Sequence, residues 1–264
     1  MASPQAAIAT RTAFSQIQFT TDVEPRTNLP YGLPIVDNCS SCKLRGSGFF
    51  CSLSQPTVEA LNQIKHTASY PEGALVFMEG QAARGVYMVC QGRVKMLTTN
   101  SDGKTLILKI AQAGEILGVH SVVTGKPHEL TVETLQPCQL AFIGRDDFLR
   151  FIQEHGDACL HATQHLGRDC QSAYDVIRSI GLSHSVSEKL ARLLLQWSAD
   201  ARVSNGVVQL RLTLTHEEIA QLIGSSRETV TRTLGDFKKH SVIELHGSAL
   251  LIRNLSALQK LAAG

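Results

Sequence analysis

A strong net charge of either sign is missing from this sequence. The 25 Lys and Arg residues and the 23 Asp and Glu residues nearly balance, which leaves a formal charge of +2 on 264 residues. A protein that binds nucleic acid through its overall charge needs a large basic excess, so any DNA contact here must come from a local surface.

Long hydrophobic runs and an export signal are also missing. No apolar stretch approaches the length of a membrane span, and residues 1–20 do not combine a charged start with a long apolar centre. We therefore expect a cytoplasmic protein without a membrane partner. The odd number of cysteines, seven, argues against a disulfide framework, because cytosolic thiols stay reduced.

Catalytic motifs are a third absence. The sequence shows no nucleophile paired with a base, no glycine loop that would cradle phosphate and no paired catalytic carboxylates. Its hydrophobic content of 43% is enough for a core of ordinary size in one large domain or two smaller ones. We expect a folded protein that is not an enzyme.

The sequence does contain a cysteine-rich stretch, CSSCKLRGSGFFC, at residues 39–51. Cys39 and Cys42 have the C-x2-C spacing with which neighbouring thiolates bind one metal centre, and Cys51 follows after a looser gap. Metal binding and redox chemistry are both open interpretations of this stretch. A zinc site with four cysteine ligands and a reversible disulfide fit the same residues.

The hydrophobic pattern divides the chain into five regions. Residues 1–38 read as a flexible tail, and residues 39–58 as a cysteine-rich loop that binds a metal centre. Short apolar runs separated by turns predict a β-roll, or jelly roll, over residues 59–156. A long dimerisation helix is predicted over 157–183 and a winged helix-turn-helix over 184–264, so the fold class is α+β.

An apolar seam runs along the predicted long helix. Its residues recur at spacings of four and three, as in a coiled coil, and an identical helix of a second chain is the simplest partner. Packing against the chain's own sheet is the alternative. The seam consists of Cys159, Thr163, Leu166, Cys170, Ala173, Ile177 and Ile180. His161, His165 and Asp169, four residues apart, are interpreted as a solvated face rather than a metal site.

The segment TLTHEEIAQLIGSSRETVTRTLGDFKKHSVIEL carries the clearest motif in the chain. Thr215 and Glu218 predict a capping box, and Gly224 ends the first helix. Ser225 and Glu228 predict a second cap directly after that glycine. Two helices joined by so tight a turn form a helix-turn-helix, whose second helix enters the major groove of DNA.

The start of the second helix carries side chains that read base edges. Arginine can pair with guanine in bidentate fashion, and glutamate can accept from the amino group of cytosine. The predicted DNA-binding residues are Ser225, Ser226, Arg227, Glu228, Thr231 and Arg232. Two short strands around His246 and Gly247 are predicted to form the wing.

With this order of elements and the motif GSSRETVTRTL, residues 39–262 resemble the CRP/FNR family of transcription regulators. The resemblance implies a homodimer that binds palindromic double-stranded DNA with half-sites close to TGTGA, and RNA polymerase as a partner. It does not identify the signal, because the regulatory halves of the family sense different things.

The family's cyclic-nucleotide segment is altered in this chain. Members that bind a cyclic nucleotide carry a glutamate where this sequence has Val119, and an Arg-Ser pair where it has Glu129 and Leu130. A carboxylate repels an anionic phosphate. We therefore expect that cyclic AMP is not the ligand; an unidentified small molecule stays open.

The FNR branch of the family implies an oxygen- or redox-sensitive [4Fe-4S] cluster instead. In that branch three N-terminal cysteines and one cysteine of the roll hold the cluster. The implied ligands are Cys39, Cys42, Cys51 and Cys138. The neighbouring Lys43 and Arg45 would favour the thiolate forms. Cluster binding would promote dimerisation, and oxygen or nitric oxide would reverse it.

The other three cysteines are assigned no chemistry. Cys90 reads as a small buried residue of a strand, and Cys159 and Cys170 belong to the seam.

Overall fold

The structure is a computed structural model that describes residues 30–46, 50–182, 185–199, 201–204 and 207–263. The helices are α1 (Gln55–Ile64), α2 (Val119–Thr124), α3 (Arg145–Glu154), α4 (Gly156–Leu182), α5 (Val186–Ser198), α6 (His216–Ile223), α7 (Arg227–Lys239) and α8 (Leu255–Ala263). The strands are β1 (Lys65–Tyr70), β2 (Leu75–Phe77), β3 (Gly85–Gln91), β4 (Arg93–Thr99), β5 (Thr105–Gln112), β6 (Ile116–Leu117), β7 (Thr131–Thr134), β8 (Cys138–Gly144), β9 (Arg202–Ser204), β10 (Val207–Arg211), β11 (Ile243–His246) and β12 (Ala249–Ile252). Short 3-10 turns lie at Pro30–Gly32, Cys39–Ser41 and Phe50–Ser52. Most of the predicted tail lies outside the described residues.

Two antiparallel four-stranded sheets form the predicted β-roll. Their strand orders are β1-β8-β3-β6 and β2-β7-β4-β5. Side chains from both sheets fill the space between them, and we call this cluster the inner core. It consists of Phe77, Val89, Val94, Ala111, Leu117, Val132, Cys138 and Leu140.

A second apolar cluster, the outer core, covers the opposite face of the first sheet. Because successive strand residues point to opposite faces, β3 gives Val89 to the inner core and Met88 and Cys90 to the outer core. The outer core consists of Phe50, Leu53, Val58, Leu61, Val86, Met88, Cys90, Ile116, Val119, Val122, Ala141, Ile143, Phe148, Phe151, Ala158 and Ala162. It therefore joins the segment after the cysteines, α1, α3 and the start of α4 to the roll.

The long helix α4 has 27 residues and presents two different faces. Ala158 and Ala162 pack in the outer core, whereas most of the predicted seam faces solvent in the single chain. The exposed seam residues are Cys159, Thr163, Cys170, Ala173 and Ile177, and Leu166 is half-buried. The side chain of Ile180 lies outside the described part. None of the helices in that part is both long and apolar enough to cross a membrane.

The prediction that the histidine face of α4 is solvated is wrong for His165. This side chain is 3% exposed, and its Nε2 lies 3.1 Å from Oδ2 of Asp169. Asp169 also accepts a hydrogen bond of 2.9 Å from Nζ of Lys109 on β5. This face of α4 points to the roll, so its polar side chains bond to each other and to Lys109 of β5.

The C-terminal part packs α5 to α8 around a sheet of order β11-β12-β10-β9. Its core includes Leu190 of α5, Ile219 of α6, Val230 of α7 and Leu250 of β12. β11 and β12 form the predicted wing, whose turn contains Gly247 at a φ of +58°. The predicted α+β class, with a roll, a long helix and a helix-turn-helix domain, is confirmed.

Asp157, in the first turn of α4, joins that helix to the start of α1. Its carboxylate accepts hydrogen bonds of 2.9 Å from the backbone N–H of Ser54 and from the hydroxyl of Thr57, and one of 3.0 Å from the N–H of Ala158. Burial alone would raise the pKa of Asp157, but these donors lower it to about 2. The carboxylate is therefore ionised at neutral pH.

Replacing Asp157 by Asn should lower the free energy of unfolding by about 1–2 kcal/mol, because a charged acceptor of several hydrogen bonds is lost. Since the folded pKa, about 2, lies below the ordinary 3.8, the difference from the wild type should be full above pH 4 and vanish as the pH falls towards 2. Urea unfolding across that pH range measures it. The exposed Asp146, in the first turn of α3, provides the control Asp146→Asn, which should show a smaller effect. Equal stability of D157N and wild type at pH 7 would contradict the role of Asp157.

Candidate DNA-binding surface and cysteine site

The first helix of the helix-turn-helix begins with the predicted capping box. Oγ1 of Thr215 accepts a hydrogen bond of 3.2 Å from the N–H of Glu218, and Oε2 of Glu218 accepts one of 2.9 Å from the N–H of Thr215. α6 ends at Gly224, whose φ of +64° lies in the left-handed region that favours glycine. The sequence prediction is confirmed at both ends of this helix.

The second helix begins one residue later than the sequence predicted. Ser226, and not Ser225, is the N-cap of α7, because its Oγ accepts a hydrogen bond of 3.3 Å from the N–H of Thr229. Ser225 belongs to the turn, where its N–H donates to the carbonyl of Ala220 at 2.9 Å. After the left-handed Gly224, the N–H of Ser225 bonds to a carbonyl at the C-terminal end of α6. The N-cap of α7 is therefore the next serine, Ser226.

The predicted base-reading residues lie on the exposed face of α7. Arg227, Glu228, Thr231 and Arg232 are all exposed, whereas the opposite face is buried in the C-terminal core. Hydrogen bonds from its own backbone N–H and from the Ser226 side chain lower the pKa of Glu228, so the carboxylate is ionised and able to accept from a base.

One functional position escaped the sequence analysis. Oγ1 of Thr231 donates to the carbonyl of Arg227 at 2.9 Å and lies 2.9 Å from Nδ1 of His216, the first residue of α6. His216 therefore links α6 to α7 beside the predicted base-reading residues. The one feature of the sequence that could have indicated this contact is the position of His216 directly after the N-cap of α6.

The cysteine segment, residues 39–51, is held by backbone contacts. The N–H of Cys39 donates to Oδ1 of Asn62 on α1 at 3.0 Å. The carbonyl of Cys51 accepts hydrogen bonds of 2.7 Å from the Arg45 guanidinium and 2.8 Å from the N–H of Gly46. These contacts place Cys51 next to Arg45 and Gly46, and hold Cys39 against α1.

The thiols of this segment are close enough to affect one another's charge. Burial, with smaller contributions from the neighbouring Cys39 and Cys42, raises the pKa of Cys51 to about 11 against the lowering effect of Arg45. Burial also raises the pKa of Cys39, against the effect of Lys65. The Cys39 and Cys51 thiols are therefore protonated at neutral pH and must release protons to bind a metal.

Lys65, at the start of β1, is a second residue that the sequence analysis missed. Its side chain is 8% exposed, its Nζ donates to the carbonyl of Asp37 at 2.5 Å, and it hydrogen-bonds to the Cys39 thiol. A buried cation beside thiols stabilises their thiolate forms. The sequence predicted this role for Lys43 and Arg45, of which Arg45 is the one whose charge lowers the pKa values of Cys39 and Cys51.

The structure separates Cys138 from the other predicted ligands. Its thiol is fully buried in the inner core, where it donates to the carbonyls of Arg93 at 3.2 Å and Gln136 at 3.1 Å. Cys90, in contrast, lies in the outer core, against which Cys39 packs. Burial and the neighbouring Cys39 raise the pKa of the Cys90 thiol to about 12, and Cys51 and Cys42 contribute to the shift.

The donor set of the cysteine site consists of thiols, which are ligands both of iron-sulfur clusters and of structural zinc. Within the described ranges, no three His, Cys, Asp or Glu side chains converge closely enough to hold a metal ion.

The altered phosphate segment is occupied by the chain's own polar groups. Val119 is buried at the start of α2, and the exposed Glu129 pairs with Nδ1 of His120. Next to it, His128 is buried and stacks on Phe77 with ring centroids 3.8 Å apart. Glu129, which the resemblance sets at the position of the family's arginine, is therefore a carboxylate paired with a neighbouring imidazole.

Family models match both halves of this architecture. Residues 67–155 match a cyclic nucleotide-binding domain, and residues 188–261 match a Crp-like helix-turn-helix domain. The chain belongs to the CRP/FNR family of DNA-binding transcription regulators. The match to a cyclic nucleotide-binding domain describes the roll and does not name its ligand.

Individual relatives agree with this assignment. The chain is 28% identical over 221 residues to the CRP-like cAMP-activated global transcriptional regulator of Mycobacterium tuberculosis, which covers 83% of this chain and 98% of the relative. It is 26% identical to the cAMP-activated global transcriptional regulator CRP of Pasteurella multocida over 75% of this chain and 94% of the relative. The solved structure of FixK2 from Bradyrhizobium japonicum has the same fold, with a TM-score of 0.67 and 21% identity over 76% of this chain and 98% of that one.

Replacing Glu228 by Ala should weaken binding to a TGTGA-like half-site by about 1–3 kcal/mol and broaden the preference at one base pair, because the acceptor for a cytosine amino group is lost. Binding titrations with each of the four base pairs at every half-site position measure both effects. Asp236→Ala, which removes an exposed carboxylate further along α7, should leave the preference unchanged. If E228A keeps the full preference, α7 does not dock on DNA as described.

Proposed function

We propose that this regulator senses oxygen or redox state through a [4Fe-4S] cluster held by the cysteine segment, and that the cluster controls dimerisation and DNA affinity. The observation that carries the proposal is the grouping of half-buried, mutually interacting thiols beside Arg45 and Lys65. A cluster bound by four thiolates carries net negative charge, which these two cations offset. The bound group would supply the sensitivity to oxygen or nitric oxide.

A continuous set of contacts connects the cysteine segment to the long helix. Phe50, beside Cys51, is 1% exposed, and its ring centroid lies 6.2 Å from that of Phe148 on α3. A few residues later, Ser54 donates its N–H to the Asp157 carboxylate of α4. A change in the conformation of the segment would therefore reach the start of the dimerisation helix directly.

The exposed seam of α4 is the proposed dimer contact. Ile177 is 65% exposed in the single chain, although it belongs to an apolar coiled-coil repeat. In a two-fold dimer the seam would pack against its own copy and set the two α7 helices about 34 Å apart, as a palindromic site requires. The proposed DNA partner has TGTGA-like half-sites, and RNA polymerase is the proposed protein partner.

Cyclic AMP is not the proposed signal, although the M. tuberculosis relative is described as cAMP-activated. The Glu129 carboxylate would face the cyclic phosphate, and repulsion between two anions disfavours binding.

A structural zinc ion is the second candidate for the cysteine site. Four thiolates are a common ligand set for zinc, and the same proton release would accompany its binding. In that case the zinc ion would hold the segment on the roll and would not act as the sensor. The signal would then be a thiol-disulfide change or an unidentified small molecule.

Protein purified without oxygen should contain about four irons and four sulfides per chain and show a broad absorption band near roughly 400 nm that bleaches in air. Its affinity for a palindromic site should fall by about 10- to 100-fold on bleaching, the usual range of coupling between two sites. Zinc-loaded protein, which should not change in air, is the control. A colourless protein with stoichiometric zinc would replace the cluster by the second candidate.

Replacing Ile177 by Glu should raise the dimer dissociation constant by about tenfold or more, because two unpaired carboxylates would face each other in an apolar seam. Sedimentation at several concentrations measures it in the cluster-loaded protein. Gln164→Glu adds the same charge on an exposed face of α4 away from the seam and should leave the dimer intact. A dimer equally stable in I177E and wild type would show that the seam is not the interface.

A further inference from the structure

The geometry points to Cys90, rather than Cys138, as the fourth thiolate ligand of the cysteine site, together with Cys39, Cys42 and Cys51. This assignment rests on the proposed cluster and changes which part of the roll holds it. The FNR branch would take its fourth ligand from β8, whereas this chain would take it from β3.

Alternation along β3 places Cys90 on the outer face of the sheet, where the cysteine segment packs. The pairing of β3 with β8 shifts register between Val89 and Gln91, so Cys90 lies at a bulge. The Cys90 side chain lies in the outer core, where Cys39 packs, and is 8% exposed.

Residues beside Cys90 hold the chain that leads into the segment. Nε2 of Gln91 donates to the carbonyl of Pro34 at 2.9 Å. Oε1 of Gln139, the residue paired with Gln91, accepts from the N–H of Val36 at 3.0 Å. The two glutamines hold residues 34–36 against the sheet next to Cys90. Cys39, three residues later, therefore lies on the same side of the roll.

Cys138 faces the opposite side of the same sheet. Its thiol donates to two backbone carbonyls of the inner core, and the neighbouring Gly92 is so close that a Cβ there would lie 2.5 Å from the Cys138 sulfur. For Cys138, the first residue of β8, to reach the segment, its side chain would have to leave the inner core and cross to the opposite face of the sheet. Such a change would bury its polar partners without hydrogen bonds.

Ligation by Cys90 would place the metal centre on the outer core itself. The same cluster of side chains contains Phe50 beside Cys51 and Ala158 of α4. Binding or loss of the metal centre would then change the packing of the dimerisation helix directly, because both lie on the same face of the sheet. Each thiol that binds iron would release its proton to solvent, so uptake would be accompanied by proton release.

The test compares Cys90→Ala with Cys138→Ala, two matched truncations of buried thiols on opposite faces of one sheet. Wild type and both variants are reconstituted anaerobically with ferrous iron and sulfide. Iron and sulfide per chain and the absorption band are then measured, and circular dichroism shows whether each variant is folded. If C90A is unfolded, Cys90→Ser takes its place.

The assignment predicts that C138A retains wild-type iron, sulfide and absorbance, whereas folded C90A retains less than about a quarter of each, since one of four ligands is missing. Loss in C138A with retention in C90A would overturn it in favour of Cys138 and leave the cluster proposal standing. Equal retention, or equal loss, in two folded variants would also overturn it. Wild-type protein that takes up no iron would overturn the cluster proposal itself, and this assignment with it.

Discussion

The outer core is the contact on which the other parts of this regulator depend. It joins three elements that are far apart in sequence: the segment that ends in Phe50, the sheet face that carries Cys90, and the start of α4 at Ala158. Full burial of a side chain such as Phe50 contributes about 2–3 kcal/mol to the stability of the fold. The same buried side chains therefore stabilise both the docked segment and the position of α4. A signal at the cysteines therefore needs no long pathway to reach the dimer.

Polar contacts at the rim of that core decide how the helix lies. Asp157 fixes the start of α4 against Ser54. Further along the helix, the half-buried Asp169 contacts both the buried His165 and Lys109 of β5. Burial alone would raise the pKa of Asp169, but His165 and Lys109 lower it, so its charge persists. Apolar packing thus holds the helix on the roll, and these ion pairs set its register.

Local signals made the DNA-binding half predictable from the sequence. The capping box at Thr215 and the glycine turn at Gly224 depend on residues within one turn, and both appear as expected. The cap at Ser226 and the burial of His165 were missed, because each depends on how neighbouring elements pack. The outer face of Cys90 follows from the alternation of β3, but what packs on that face depends on how a segment far away in sequence docks, which the sequence does not mark.

The chemistry of the thiols limits how the switch can work. Because burial raises the pKa values of Cys39, Cys51 and Cys90, the segment without metal carries neutral thiols, and neutral thiols pack in an apolar core as small hydrophobic groups. Phe50 and Leu53, which flank Cys51, are buried in the same core. Loss of a metal centre would then leave the segment docked, so its effect on α4 would be a local repacking rather than unfolding. A regulator built this way would keep part of its dimer in air, and its response would depend on how far the packing around Ala158 relaxes.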